Sequence, residues 1–340
     1  MGAIAGDDQG TVAALGEFGL IAALSAWLPP DERVLVGIGD DAAVLAAPDG
    51  RVVATTDFLL EGRHFRRDWS SARDVGHKAA ARSLADIAAM GAVPTALLVA
   101  LAVPGELPVS WARDLAAGLA AECARAGASV AGGDTACAPS VLLAVTGLGD
   151  LAGRAPVLRS GAAPGDVVAV AGVLGHAAAG LALLSAGLTG GPLVAAQRRP
   201  APPYDAGPQA AGLGATAMID VSDGLLADLG HVAEASGVLI DLASDRLAAP
   251  ELLLAAARAV AAARAPLGRT DRGSPLGPAE QSLSWILSGG EDHALAATFP
   301  PGVELASRWT VIGSVRSGRG VLVDGQPWAG RAGWDHFAGD

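Results

Sequence analysis

From residue 37 the chain reads Gly-Ile-Gly-Asp-Asp-Ala-Ala-Val, and Thr55-Thr56-Asp57 follows one strand-length later. Asp40 and Asp41, set between glycines and β-branched residues, and Asp57 at the end of the next strand would gather several negative charges at one sheet edge. At an effective dielectric of ~20, two unit charges ~5 Å apart repel by roughly 3 kcal/mol. Such a cluster calls for a cation. Oxygen donors without His or Cys partners suit Mg²⁺ or Ca²⁺, and Mg²⁺ usually arrives with phosphates. The expectation is a magnesium-phosphate site. Read locally, an Asp pair after glycine also serves as an Asx turn, and Thr-Thr-Asp also serves as a strand's polar end.

Other residues of the same chemical kind lie far along the chain. Asp86 is a candidate ligand, although Arg82 four residues earlier would also explain it as one half of a helical ion pair. Asp134 follows Gly132-Gly133 at an expected strand end, where backbone amides can approach a phosphate closely. Asp220 and Asp223 flank Ser222 at a helix start, where carboxylates cap free amides and where a phosphate with its metal could dock. Arg159 precedes a Pro-Gly turn, His64 sits in a polar loop, Glu291 and Asp292 follow Gly289-Gly290, and Trp334 stands near the C-terminus.

The elements that must position these residues follow from periodicity. Apolar spacing predicts a helix from Gly16 to Trp27, and residues 1–14 read as a tail. Val34–Ile38 and Arg51–Thr56 read as strands of one hairpin, bringing Asp41 and Asp57 to related positions. A helix is expected over Ala72–Met90, with Lys78, Arg82 and Asp86 on one face and Gly91 as its stop. Strands Leu97–Val103, Ser129–Ala131 and Val141–Gly149 enclose a helix over Ser110–Ala126. Beyond a Gly/Pro/Arg-rich boundary near 150–159, strands at Val167–Ala171, Ile219–Val221, Val238–Leu242, Ala294–Phe299, Trp309–Ser314 and Val321–Val323 alternate with helices. Residues 188–203 are loop-rich. Residues 243–282 are Ala- and Arg-rich, part surface helix and part loop. The whole reads as two α/β domains with mixed sheets, residues 15–152 and 153–340.

Composition narrows the function. The chain has 340 residues, 51% hydrophobic and 17% charged, with a formal net charge of -12. That charge disfavours nucleic acid and anionic membrane, both of which need Lys and Arg to displace counterions. Cys123 and Cys137 are too few for a disulfide scaffold or a zinc module. No signal sequence or membrane-length apolar run is evident, so the cytoplasm is the expected location. Lys78 is the only lysine, and no GxxxxGK[ST] loop exists. Any nucleotide must therefore be held by metals, arginines and backbone amides.

The ordered set GEFGLI (16–21), GIGDDAAV (37–44), TTDFLLEGRHF (55–65), SLADIAAMGA (83–92), GGDT (132–135), RSGAAPGD (159–166), DVSDGLLADL (220–229), SGGEDH (288–293) and the terminal WDHF resembles the thiamine-monophosphate kinase family. This family belongs to the aminoimidazole ribonucleotide synthetase-like ATP-binding group. The resemblance implies two α/β domains, the N-terminal one binding ATP and Mg²⁺ and dimerising through its sheet, the C-terminal one closing over nucleotide and substrate. It implies ATP-dependent phosphorylation of thiamine monophosphate by a homodimer using several Mg²⁺ ions, without a catalytic base. By the same resemblance, Asp41, Thr55, Thr56, Asp57, Asp86, Asp134, Asp220 and Asp223 are metal positions, with Asp57, Asp134 and Asp220 assisting transfer. Gly133, Asp134, Arg159 and Ser222 are ATP positions, and His64, Glu291 and Trp334 face the substrate. Position 293 departs from the pattern, with His in place of an aromatic Tyr. A selenophosphate synthetase would carry a reactive Cys or selenocysteine near its N-terminus, and the related maturation ATPase would end in cysteine; neither feature is present. A Ca²⁺-binding module would alternate Asp and Asn within one loop, whereas these carboxylates are dispersed and asparagine is absent.

Overall fold

A computed structural model describes residues 10–29, 31–36, 38, 43–264 and 276–334, the side chains of Glu17 and Phe18 aside. The chain divides into two compact units, residues 1–87 with 92–153, and residues 88–91 with 154–340.

In the first unit, α1 (Val12–Ser25) precedes a ribbon of β1 (Val34–Val36) and β2 (Val44–Leu45), and then β3 (Val53–Leu60), α2 (Ala72–Ala89), β4 (Val93–Val103), α3 (Val109–Ala126), β5 (Ser129–Cys137) and β6 (Leu142–Asp150) follow. Four strands form one sheet in the order β3-β6-β4-β5, antiparallel except for the β4/β5 pair. Alternation divides its faces. Leu59, Val99, Leu101, Leu143 and Val145 are buried on one side, while Phe58 on the other is 59% exposed. Burying the apolar face of α2 (Val75, Ala79, Leu84, Ile87) supplies what an 18-residue helix lacks on its own. Helices α2 and α3 meet backbone to backbone at Gly76 and Gly118, where an added Cβ would stand 2.2 Å from Leu115 O and from Arg73 O respectively. Glycine is required there by contact, not by dihedral angle.

Three expectations change here. The hairpin between Val34–Ile38 and Arg51–Thr56 does not form: β1 pairs with β2, and β3 pairs with β6. An eight-residue strand gains more from a neighbour of equal length in the core than from a three-residue one. Residues 10–14 are not a loose tail, because Val12 N and Ala13 N donate to Leu107 O and Gly105 O, and Val109 N donates to Gly10 O. Gly132-Gly133-Asp134-Thr135 lies inside β5, not in a loop after it.

The second unit contains β7 (Val167–Ala171), α4 (His176–Ser185), α5 (Pro192–Arg198), α6 (Ala206–Gly212), β8 (Ala217–Val221), α7 (Leu225–Ser236), β9 (Leu239–Leu242), α8 (Glu251–Arg264), α9 (Pro278–Ser288), β10 (Ala294–Phe299), β11 (Trp309–Arg316) and β12 (Gly320–Val323). Its six-stranded sheet runs β12-β9-β11-β7-β10-β8, with only β9/β12 parallel. β8 and β10 are buried along their whole lengths and are apolar except for Asp220 and Thr298. The loop-rich stretch expected at 188–203 contains α5, and α8 buries Leu253, Ala257 and Val260.

Candidate functional site

The acidic residues of the first unit are organised by strand alternation. Thr55 and Asp57 lie two apart on β3 and share the face toward α2, while Thr56 lies on the exposed face and accepts a 3.2 Å bond from Thr146 Oγ1. The Thr-Thr-Asp run is therefore split between two faces. On the inner face Thr55 Oγ1 donates to Asp86 Oδ2 at 2.6 Å, and Ser83 Oγ lies 2.9 Å from Asp57 Oδ2. Arg82 stands 3.9 Å from Asp57 Oδ1. Ser83 and Asp86 are neighbours one helical turn apart, which puts the Asp57 and Asp86 carboxylates roughly 7 Å from each other. Arg82 thus reaches toward Asp57 on β3, and Asp86 accepts from Thr55, so both side chains of the i,i+4 pair engage the strand. Asp41 lies outside the described residues.

Asp134 occupies a different place. Asp57, Val145, Val99 and Gly133 form one row across the sheet, and Phe58, Ala144, Ala100 and Asp134 form the next. Adjacent rows face opposite sides, and β3 and β5 are three strand spacings apart, ~14 Å. Within this unit Asp134 and Asp57 are not brought together. Gly133 is there because a Cβ would meet Val99 O at 1.9 Å. Both residues are exposed, and Asp134 Oδ1 accepts from Thr135 N at 2.8 Å. His64 is half-buried in the loop after β3. Its Nδ1 accepts from Leu60 N at 2.9 Å, and buried Lys78 donates to its carbonyl at 3.1 Å.

In the second unit the turn Ser222-Asp223-Gly224 is clamped between two other segments. Glu291 N donates to Ser222 O at 2.8 Å, and Trp334 N donates to Asp223 O at 2.9 Å. An added Cβ on Gly290 would stand 2.3 Å from Ser222 O, and one on Gly333 would stand 2.6 Å from Asp223 O. Ser222, Asp223, Glu291 and Trp334, dispersed over more than a hundred residues, meet around one turn. Trp334 is 45% exposed. Arg159 is exposed and its carbonyl accepts from Ser236 Oγ at 3.1 Å.

Asp220 does not cap a helix. It is buried at 5% exposure in β8, with Oδ2 3.0 Å from Nδ1 of His293. Capping falls to Asp228, whose Oδ2 accepts from Asp223 N at 3.1 Å and Gly224 N at 3.0 Å. Burial, reinforced by the charges of Asp220 and Asp223, pushes the Asp228 carboxyl up to about 7. Asp292 plays the same part for α4, accepting from Gly175 N at 2.5 Å and Ala177 N at 2.7 Å. Burial lifts it to about 7 against those two donors. Sequence reasoning passed over Ser83 and Asp228, and it marked His293 only as a departure from the family pattern, not as a partner of Asp220. Asp228 carried a readable signal, an acid four residues after a helix-starting glycine.

Among the described residues no group of three or more His, Cys, Asp or Glu side chains could hold a metal by itself. The Thr55, Asp57 and Asp86 donors are all hard oxygens, and one or two carboxylates are what Mg²⁺ uses when phosphates and waters complete its shell. That donor chemistry fits Mg²⁺ and does not suit a transition metal.

Residues 39–151 match the family described as AIR synthase related protein, N-terminal domain. The thiamine-monophosphate kinase of Mycobacterium tuberculosis is 48% identical over 331 residues, covering 96% of this chain and 93% of its own. Among solved structures, the thiamine-monophosphate kinase of Stenotrophomonas maltophilia superposes with TM-score 0.73 at 33% identity, covering 90% of this chain and 95% of its own. A structure of AaThiL complexed with AMPPCP and TMP matches with TM-score 0.72 at 31% identity, over 95% of this chain and 98% of the other. With identity of this extent running through both α/β units, the chain belongs to the thiamine-monophosphate kinase family.

Proposed function

We propose that the chain transfers the terminal phosphoryl group of ATP to thiamine monophosphate, giving ADP and thiamine diphosphate. The observation that carries this reading is the 48% identity to the Mycobacterium tuberculosis kinase over 96% of the chain. The acceptor is a phosphate oxygen, anionic at neutral pH, so no general base is required. That agrees with a site furnished with carboxylates and hydroxyls.

Asp41, Thr55, Thr56, Asp57, Asp86, Asp134, Asp220 and Asp223 would hold several Mg²⁺ ions. Bound Mg²⁺ supplies charge neutralisation on the phosphoryl oxygens during a direct in-line transfer. Gly133, Asp134, Arg159 and Ser222 hold the nucleotide. β5 offers an exposed backbone without a side chain at Gly133, and Arg159 is exposed. His64, Glu291 and Trp334 orient thiamine monophosphate, with the Trp334 face taking the cationic ring. Lys78 and Leu60 hold His64 in place. The chain's own contribution is to align two polyanions that would otherwise repel.

The protein acts as a homodimer through the sheet of its first unit and resides in the cytoplasm. The dimer reading is supported by the sheet face on which Phe58, 59% exposed, lies with Leu98, Ala100, Ala144 and Leu148 beside the polar Thr56, Thr146 and Asp134. Purified protein incubated with ATP, Mg²⁺ and either thiamine or thiamine monophosphate tests the reaction. Diphosphate forms from the monophosphate alone; product from free thiamine, or none from either, overturns it.

A further inference from the structure

His293 is 2% exposed, and its Nδ1 lies 3.0 Å from Oδ2 of buried Asp220. An ionised carboxylate only accepts, so the ring hydrogen of this contact sits on Nδ1. Nε2 is buried without a hydrogen-bond partner. The backbone around the ring is strained as well, with φ of +52° at His293 and +68° at Glu291. Such a backbone is strained in a non-glycine residue and persists only where its surroundings over-determine it.

The surroundings do so. His293 N donates to Val221 O, Glu291 N donates to Ser222 O, and the intervening Asp292 is fixed by two amides at the start of α4. Directly after His293, β10 pairs in register with β8, with Leu295 opposite Asp220. Three anchors and a sheet register together deliver one imidazole to one carboxylate oxygen. A core-filling ring needs no such aim, and an apolar residue would leave no orphaned nitrogen.

We propose that His293 is a positioning residue for Asp220. By occupying Oδ2 it fixes the carboxylate plane and leaves Oδ1 as the oxygen offered to a divalent cation. Partners of metal ligands fix ligand orientation in this way, and removing one typically weakens metal binding by about 10- to 100-fold. The inference rests on the proposed role of Asp220 as a metal ligand.

Two near-isosteric variants separate this role from packing. His293→Asn keeps an amide N–H where Nδ1 lies and tolerates the left-handed backbone. His293→Gln moves the amide to the Nε2 position and withdraws it from Asp220. Mg²⁺ alone is titrated into the full-length protein by calorimetry, with thermal unfolding recorded in its absence. The expected result is Mg²⁺ affinity within about threefold of wild type for His293→Asn and about tenfold or more weaker for His293→Gln. Equal affinity in the two variants, whatever their melting temperatures, overturns the positioning role. Asp220→Asn is measured alongside. If it binds Mg²⁺ as wild type does, the ligand reading of Asp220 fails and this inference falls with it. If it binds weakly while His293→Gln binds normally, only the inference falls.

Discussion

Replacing Asp57 by Asn sets stability against activity in a way the geometry makes quantitative. Asp57 accepts from Ser83 at 2.9 Å and stands 3.9 Å from Arg82, with its side chain 24% exposed. Exchanging a charged for a neutral acceptor weakens the Ser83 bond by about 1 kcal/mol. Losing the long, partly exposed Arg82 contact costs up to about 1 kcal/mol. Against this, Asp57 and Asp86 lie roughly 7 Å apart, and at an effective dielectric of ~20 their repulsion is about 2 kcal/mol. The opposing contributions nearly cancel. Metal-free Asp57→Asn should unfold within about 1 kcal/mol of wild type, a shift of only about 2–4 °C in Tm. Its phosphoryl-transfer kcat should fall by about 10²-fold or more, because charge aimed at the transferring group is lost. Coupled turnover assays at saturating Mg²⁺ and calorimetric melts on the same preparation give both numbers. Near-normal kcat would refute the site, and a loss of several kcal/mol in stability would refute the reading of Asp57 as a strained acid instead of a structural one.

Trp334→Ala should raise KM for thiamine monophosphate by about 3- to 30-fold with little change for ATP, since a cation-π contact is worth ~0.5–2 kcal/mol. Steady-state kinetics with each substrate varied in turn checks this, and equal losses for both contradict it. Cys123 is buried and its thiol is pushed up to about 12 by burial and by the Glu122 charge, whereas Cys137 is exposed. An aromatic disulfide reagent should therefore titrate one thiol in the native protein and two after denaturation. Asp292, raised to about 7, holds a proton in the folded state that the unfolded chain releases above about pH 4. Its stabilising contribution is full below that and is lost as pH rises through about 7. The stability gap between wild type and Asp292→Ala, from urea unfolding, should narrow by a few kcal/mol between pH 4 and pH 8. A gap that widens reverses the sign of the argument.

Much of this protein was legible in one dimension. The helices at Ala72–Ala89, Val109–Ala126 and Leu225–Ser236 carry apolar faces with glycine following, and strands such as Val167–Ala171 are unbroken apolar runs. These are short-range signals, set by side-chain pattern and backbone freedom, and they travel with the sequence wherever it folds. The acidic and glycine-rich motifs declared the chemical family by the same token, since donor type is a property of residues.

Partnership was decided only in three dimensions. β3 passed over its neighbour in sequence for β6, which put Thr55 and Asp57 against α2 and left Thr56 on the other face. Gly133 and Asp134 became part of a strand because β4 offered a full-length parallel neighbour. Asp220, which locally looks like a cap, is claimed by His293, and Asp228 caps in its place. In each case a carboxylate or an amide has several local options of nearly equal free energy. Burial of surface distant along the chain selects among them, and that energy does not exist until the distant strand arrives.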